Sequence, residues 1–238
     1  MAIFGSDIPT LKYLALAIFG KAGAGDTHLI RTLVDAGLKV ALMDTDGGAK
    51  TVEDLAGHPN FRYADCTTLD RFNTAWLGTD ELDDSWILAV DTFTALLDLK
   101  AQAVGGSKDK LSFDDHAKVG GAGVKILLQV KARAKNKDVI LLCQEDRLQD
   151  DVGRMYWGPK LHGRMTGRVF ADKFDGVLRL FVENAPGGVA YKMLTGATDD
   201  CETKLRVTPS QRERIPLVID ASDFGEVVYK TLKGENGG

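Results

Sequence analysis

No run of about 18 consecutive apolar residues, the minimum for a helix that crosses a bilayer, occurs in this 238-residue sequence. Its opening, "MAIFGSDIPTLK", has no basic segment ahead of an apolar core, which argues against a secretory leader. Cysteine is scarce: Cys66, Cys143 and Cys201 are odd in number, far apart and form no C-x-x-C pair, so neither a disulfide framework nor a thiolate metal site is expected. The four histidines, His28, His58, His116 and His162, show no metal-ligand spacing. A basic excess is also missing, with 30 Lys and Arg against 34 Asp and Glu and a net charge of −4. That excludes a uniformly basic coat for nucleic acid but leaves room for a charged cluster inside one loop. No internal repeat, low-complexity tract or linker divides the chain. These absences predict a cytoplasmic protein in a reducing compartment, with no membrane partner and one domain over residues 1–238, after a short lead-in at 1–11.

What is present is enough for a sizeable core, since 44% of residues are hydrophobic and 27% charged. Short apolar runs recur: "YLALAIF" (13–19), "KVALMD" (39–44), "WILAVD" (86–91) and "DVILLC" (138–143). Continuous rather than alternating apolar character fits parallel strands buried on both faces. Between the first two runs, Leu29, Ile30, Leu33 and Val34 fall at helical spacing and stop at Gly37, a good residue just past a helix end. Residues 116–135 carry Val124, Leu127, Leu128 and Val130 with cations at the end, a second helix whose start is blurred by Gly120, Gly121 and Gly123. Residues 144–172 lack periodicity and read as a long functional loop. Beyond them the chain turns β-rich over about 174–220, with a hairpin from 175–183 to 189–195 around "APGG", and a tail helix is expected near 222–233. The fold class predicted is α/β: a mainly parallel sheet flanked by helices, with a β-rich C-terminal part.

The first apolar run leads into the octet "GKAGAGDT", residues 20–27. It has the frame of a phosphate-binding loop, G-x-x-x-x-G-K-[ST], between a strand and an amphipathic helix as that motif requires. Gly20, Gly23 and Gly25, with Ala24 between them, let main-chain N–H groups converge on an anion at a helix N-terminus, and His28 follows directly. The lysine of the motif is replaced by Asp26. A lysine there sits beside the phosphates, where one unit pair at about 4 Å and an effective dielectric near 20 is worth roughly 4 kcal/mol, and aspartate reverses that sign. Lys21 offers two readings: a lysine that reaches phosphate in cis or across a dimer, as in the loops of the ParA/MinD group, or a solvated loop residue. Thr27 supplies a hydroxyl suited to Mg²⁺, and Asp91, ending "WILAVD", supplies a carboxylate at the same sheet edge to hold that metal. Asp91 also fits a helix N-cap. Asp44 and Asp46 end the second run, and one of them is placed to orient an attacking water. Trp76 and Trp86 read as core residues.

Taken in order, these motifs resemble the RecA-like, AAA-domain ATPases encoded by bacteriophages, a group related to RecA/RadA recombinase cores that includes single-strand annealing proteins. The resemblance spans about residues 10–230 and rests on "IFGKAGAGDT", "ALMDTDGG", "SWILAVDTFTAL", "VILLCQED", "FDGVLRLFVE" and "TKLRV". It implies ATP and Mg²⁺ as cofactors, a homo-oligomer, and single-stranded DNA as partner in recombination or replication, with a single-strand DNA-binding protein as a further partner. It assigns Asp46 the place of the catalytic base, one methylene shorter than the family's glutamate, and Gln144 the place of the γ-phosphate sensor. Lys204 and Arg206 match a basic pair that reaches a neighbouring subunit's nucleotide; exposed strand residues are the other reading. Cations and aromatics at Arg147, Arg154, Tyr156, Trp157, Lys160, His162, Arg164 and Arg168 make residues 147–168 a candidate DNA-contacting loop, since cations follow a phosphate backbone while rings stack bases. Residues 103–116 are a candidate companion loop. Asp26 departs from the family and leaves two outcomes open: an ATPase, or a noncatalytic DNA-binding or assembly protein on a degenerate loop.

Overall fold

The computed structural model describes residues 12–106, 110–162, 164–186 and 188–235, so the lead-in at 1–11 and the centre of the 103–116 segment lie outside the described residues. The apolar runs become the middle of one sheet. Strand β1 (Ala15–Gly20) is buried along its whole length and lies parallel between β5 (Val139–Gln149) and β7 (Gly176–Ala185). Beyond β5 come β4 (Trp86–Asp91), β2 (Lys39–Asp44) and the edge strand β3 (Phe61–Asp65), all parallel. On the other side, β8 (Gly188–Leu194) and β10 (Val218–Asp220) add antiparallel, giving the order β10-β8-β7-β1-β5-β4-β2-β3. The expected α/β class, with a mainly parallel sheet and an antiparallel C-terminal part, is the fold observed.

Continuous apolar sequence is explained by two cores, one per face, because successive strand side chains point to opposite sides. From β1, Leu16 and Ile18 enter one core together with Leu29, Ile30 and Leu33 of α1 (Asp26–Asp35) and Phe224, Val228 and Tyr229 of the C-terminal helical segment. Ala15, Ala17 and Phe19 enter the other. That second layer is built by α2 (Leu69–Gly78), α3 (Phe93–Gly105), α4 (Phe113–Arg133) and α5 (Arg164–Phe170), through Phe72, Leu97, Leu127 and Phe170 among others.

Helix α4 starts three residues earlier than its apolar spacing suggests, because Ser112 and Asp115 form a reciprocal capping box. One of the glycines that blur its start has a packing role: a Cβ at Gly123 would stand 2.8 Å from Thr166 Oγ1 and 3.1 Å from Leu97 Cδ2, so the bare backbone lets α5 and α3 close on α4.

The 144–172 stretch is not a long loop. β5 runs on to Gln149 and turns into β6 (Met155–Pro159), an antiparallel hairpin, before α5. Its charged residues hide it from an apolar count, and ladder pairing with β6 forms the strand instead. β9 (Lys204–Leu205) pairs with the start of β7, α6 (Pro209–Arg214) carries its own capping box at Thr208, and the tail runs through a π-helical turn at Phe224–Tyr229 into α7 (Lys230–Lys233).

Candidate nucleotide site

β1 delivers the chain to Gly20 at its C-terminal end, where the backbone passes so close to β7 that a Cβ would stand 2.8 Å from the Leu180 carbonyl oxygen. The loop then turns through Gly23 (φ +82°) and Gly25 (φ +90°), left-handed positions that favour glycine. The Ala24 N–H donates to the Lys21 carbonyl at 2.8 Å, closing the turn. Helix α1 begins at Asp26 with Gly25 as its N-cap, a residue with no side chain to cap the helix, and the Asp26 carboxylate itself takes the main-chain N–H groups of Asp26 and Thr27. A helix N-terminus after a glycine turn favours an anion, and here the Asp26 carboxylate occupies part of that place.

Beside it, the Thr27 hydroxyl donates to Asp91 Oδ2 at 2.6 Å. Asp91 is 1% exposed, and its other oxygen, Oδ1, is buried without a hydrogen-bond partner. Burial pushes this carboxyl up to about 8; the Thr27 hydrogen bond works against that, while Asp26, Asp46 and Asp44 add to it by repulsion. An orphaned buried carboxylate oxygen next to a threonine hydroxyl fits Mg²⁺, which takes one or two protein oxygens and completes its shell with phosphate and water. Among the described residues no group of three or more His, Cys, Asp or Glu side chains is placed to hold a metal on its own.

The two other aspartates separate by role. Asp44, register partner of Asp91, accepts at Oδ1 from the N–H groups of Asp46, Gly47 and Gly48 (3.2, 2.8 and 3.2 Å) and at Oδ2 from the Tyr63 hydroxyl (3.3 Å). It shapes the turn. Asp46 projects from that turn into partial exposure, with Oδ1 accepting from the Gly48 N–H at 3.0 Å. Burial raises its pKa above the ordinary aspartate value; the Gly48 N–H opposes this, and Asp44 and Asp26 add to the rise. A Cβ on Gly48 would come within 2.9 Å of Asp46 Oδ1 and 3.5 Å of Thr27 Oγ1, so glycine there lets the turn descend on the metal side of the loop. Burial likewise lifts Asp26, held back by the main-chain N–H groups of Thr27 and of Asp26 itself.

Gln144 pairs in register with Gly20, one strand over from the loop. Its N–H donates to Thr94 Oγ1 (3.0 Å), its carbonyl accepts from the Lys160 N–H (2.7 Å), and Thr94 Oγ1 donates to the Lys160 carbonyl (3.1 Å). Helix α3 thus clamps the start of the hairpin beside the phosphate loop. Gly20, Lys21, Gly23, Ala24, Gly25, Asp26, Thr27, His28, Asp46, Asp91 and Gln144 all gather at one sheet edge. Lys21 and His28 are exposed there.

The remaining residues predicted from sequence lie elsewhere. Lys204 and Arg206 sit by the start of β7, at the end of the sheet away from the chain's own loop. Burial and then the charge of Arg206 lower the Lys204 pKa, and Arg206 stands 3.9 Å from Asp175. Arg154 pairs with Asp150 (3.2 Å) in the tip of the β5–β6 hairpin, and Tyr156 is half-buried. Trp157 packs on the core with Arg179 and Arg147 over its ring at 4.9 and 5.8 Å, so one expected stacking surface is already taken up by cations. Lys160 is exposed, and His162 bonds Asp98 at 2.6 Å. The Arg164 and Arg168 side chains lie outside the described residues.

Sequence reasoning missed the far wall of the site. A cavity of about 530 Å³ runs from Gly25, Asp26 and Thr27 to Tyr191 on β8 and to Asp220 and Ser222 at the end of β10. Tyr191 carried no signal beyond its place in a hairpin, since only strand pairing brings it to the loop. A second cavity, about 650 Å³, opens across the 45–48 turn between Val52 and Tyr63.

With this geometry in place, comparison with known proteins gives one family: the AAA domain matches residues 12–207. Among solved structures the chain is similar to the RadB recombinase, at 18% identity over 76% of this chain and 80% of that one, with a TM-score of 0.46. It is also similar to a KaiC-like protein from the hyperthermophilic archaeon Pyrococcus horikoshii OT3, at 11% identity over 81% and 83%, with a TM-score of 0.48. No curated protein matches.

Proposed function

We propose that this chain, which belongs to the AAA domain family, binds Mg²⁺ and ATP at residues 20–27 and acts as a RecA-like ATPase on single-stranded DNA. One observation carries this reading above the others: Asp91 Oδ1, buried and unpartnered, on the carboxylate that the Thr27 hydroxyl bonds at the N-terminus of α1. Mg²⁺ would neutralise charge on the phosphates and on Asp91. Thr27 and Asp91 would hold it, phosphate would take the first-turn N–H groups of α1 in place of the Asp26 carboxylate, Asp46 would orient water and take its proton, and Gln144 would meet the terminal phosphate. A raised pKa brings the Asp46 carboxyl closer to neutral pH, where a base accepts protons best.

Asp26 sets the conditions. With Asp44, Asp46 and Asp91 nearby, it adds negative charge where the motif has a lysine, so binding depends on a divalent cation and is weaker than with lysine. The same charge supports a second reading, a DNA-binding or assembly protein that keeps the loop without hydrolysis. Lys204 and Arg206, turned away from their own loop, suit a neighbouring subunit's nucleotide in a homo-oligomer. Arg147, Arg154 and Lys160 on and after the β5–β6 hairpin suit a DNA backbone, and a phage recombination or replication role follows from the sequence resemblance.

A calorimetric titration with ATP, with and without Mg²⁺, tests the site. Heat of binding only in the presence of Mg²⁺ supports it, and none in either condition removes it. Turnover measured with and without single strands then separates the two readings. Turnover lost in Asp46→Ala with affinity kept identifies the base, whereas unchanged turnover removes Asp46 from that role.

A further inference from the structure

The cavity beside the phosphate loop has a second end, and its chemistry differs from the first. At the loop end, main-chain N–H groups favour an anion. At the other end stand an aromatic ring, a carboxylate and a hydroxyl: Tyr191, Asp220 and Ser222. Tyr191 lies against the loop itself, so that a Cβ on Gly25 would stand 3.3 Å from its Cδ1 and 3.6 Å from its Cε1. Yet the residue remains 44% exposed, an open ring on a hairpin whose base is held by the sheet. Asp220 is fixed beside it. Its register partner across β8 and β10 is Lys192, next to Tyr191 in the chain, and Lys192 Nζ meets Asp220 Oδ1 at 2.8 Å.

With Oδ1 held by Lys192, the Asp220 carboxylate keeps Oδ2 as a hydrogen-bond acceptor, which suits a neutral, donor-bearing group at this end. A flat aromatic face next to it selects a planar ring, because bases stack on aromatic side chains whatever their sequence identity. We infer that Tyr191 is the stacking platform for a nucleobase and that Asp220 accepts from the base's exocyclic amino group, so the ligand class is an amino-purine nucleoside triphosphate rather than inorganic polyphosphate. This rests on the reading that residues 20–27 hold the phosphates.

The experiment is calorimetry in Mg²⁺ with three ligands: ATP, purine riboside triphosphate, which lacks the amino group, and inorganic triphosphate. The proteins are the full chain and its Tyr191→Ala, Tyr191→Phe and Asp220→Asn variants. The expected result for the unaltered chain is ATP bound at least about 10-fold more tightly than inorganic triphosphate, the scale of one base stacked on an aromatic ring. Tyr191→Ala loses that factor for ATP and leaves inorganic triphosphate unchanged, while Tyr191→Phe keeps both. Asp220→Asn narrows the preference for ATP over purine riboside triphosphate. Equal loss of ATP and inorganic triphosphate in Tyr191→Ala would mean that the ring merely props the loop and would overturn the proposal, as would no loss at all. An unchanged base preference in a further variant, Asp220→Ala, which has no acceptor, removes that residue from recognition. If the unaltered chain binds inorganic triphosphate as well as ATP, the base site falls and the phosphate loop stands; if it binds none of the three, both fall together.

Discussion

Thr27 and Asp91, 64 positions apart, are joined by a 2.6 Å hydrogen bond that links the first turn of α1 to the end of β4. Because the hydroxyl satisfies only Oδ2, the other carboxylate oxygen is left buried without a hydrogen-bond partner. The first turn of α1 and the buried acid of β4 thus position each other.

Replacing Asp26 by lysine is expected to raise affinity for Mg²⁺ and ATP at least tenfold. The substitution removes one negative charge and adds one positive charge beside the phosphates, where a single pair is worth up to about 4 kcal/mol before desolvation. Calorimetry on both chains checks it; equal affinities would mean that position 26 does not face the phosphates.

The pH dependence of the cation-free protein follows from Asp91. Its carboxyl titrates near pH 8 when folded against 3.8 for an ordinary aspartate. Between those values the folded chain holds a proton that the unfolded chain has released, so stability falls as pH rises through the window. Asp26 and Asp46, also raised, act in the same direction. Asp91→Asn removes the charge and is expected to stabilise the cation-free protein by more than about 1 kcal/mol at pH 8 and by little near pH 4, while abolishing Mg²⁺-dependent binding. Thermal melts across pH in a chelator check it, and a stability gap that stays constant with pH would contradict it.

Thr94→Val should separate turnover from binding. Thr94 is fully buried, and its hydroxyl both accepts from the Gln144 N–H and donates to the Lys160 carbonyl. Losing the hydroxyl leaves the half-buried Gln144 N–H and the Lys160 carbonyl short of a partner, a cost of about 1 kcal/mol. Because the clamp positions Gln144 and not the loop N–H groups, turnover is expected to fall more than affinity. Denaturant unfolding and steady-state kinetics measure the two effects, and a loss confined to affinity would contradict the assignment.

Gly20→Ala tests how closely the loop is folded onto β7. The new Cβ meets the Leu180 carbonyl at 2.8 Å and Leu180 Cβ at 3.2 Å, and neither backbone can retreat without breaking the ladder that pairs Gly20 with Leu180. Destabilisation of about 1–3 kcal/mol is expected, the cost of overpacking a tight site. A melting temperature unchanged from the parent would show that β1 and β7 are not this close in solution.

Strands β2 and β4 occupy the residues their apolar runs mark, Lys39–Asp44 and Trp86–Asp91, because a parallel strand covered on both faces has to be apolar along its whole length. The octet and Asp91 were legible for a related reason: each is a local pattern at a strand end. The β5–β6 hairpin was not. Glu145, Asp146 and Arg147 show no apolar period, and that strand exists through its ladder with Met155–Pro159.

The division of labour between Asp44 and Asp46 was equally invisible in "MDTDGG", since both are acids at a strand end. The fold decides it by giving Asp44 three N–H donors and the Tyr63 hydroxyl while leaving Asp46 to project. Local chemistry along the chain was therefore enough to mark the glycine turn between β1 and α1, the buried acid that ends β4 and the parallel core. Tertiary structure alone decided what surrounds them, because Thr94, Tyr191 and Asp220 come to the site only when α3 packs under β5 and when β8 and β10 add antiparallel beyond β7.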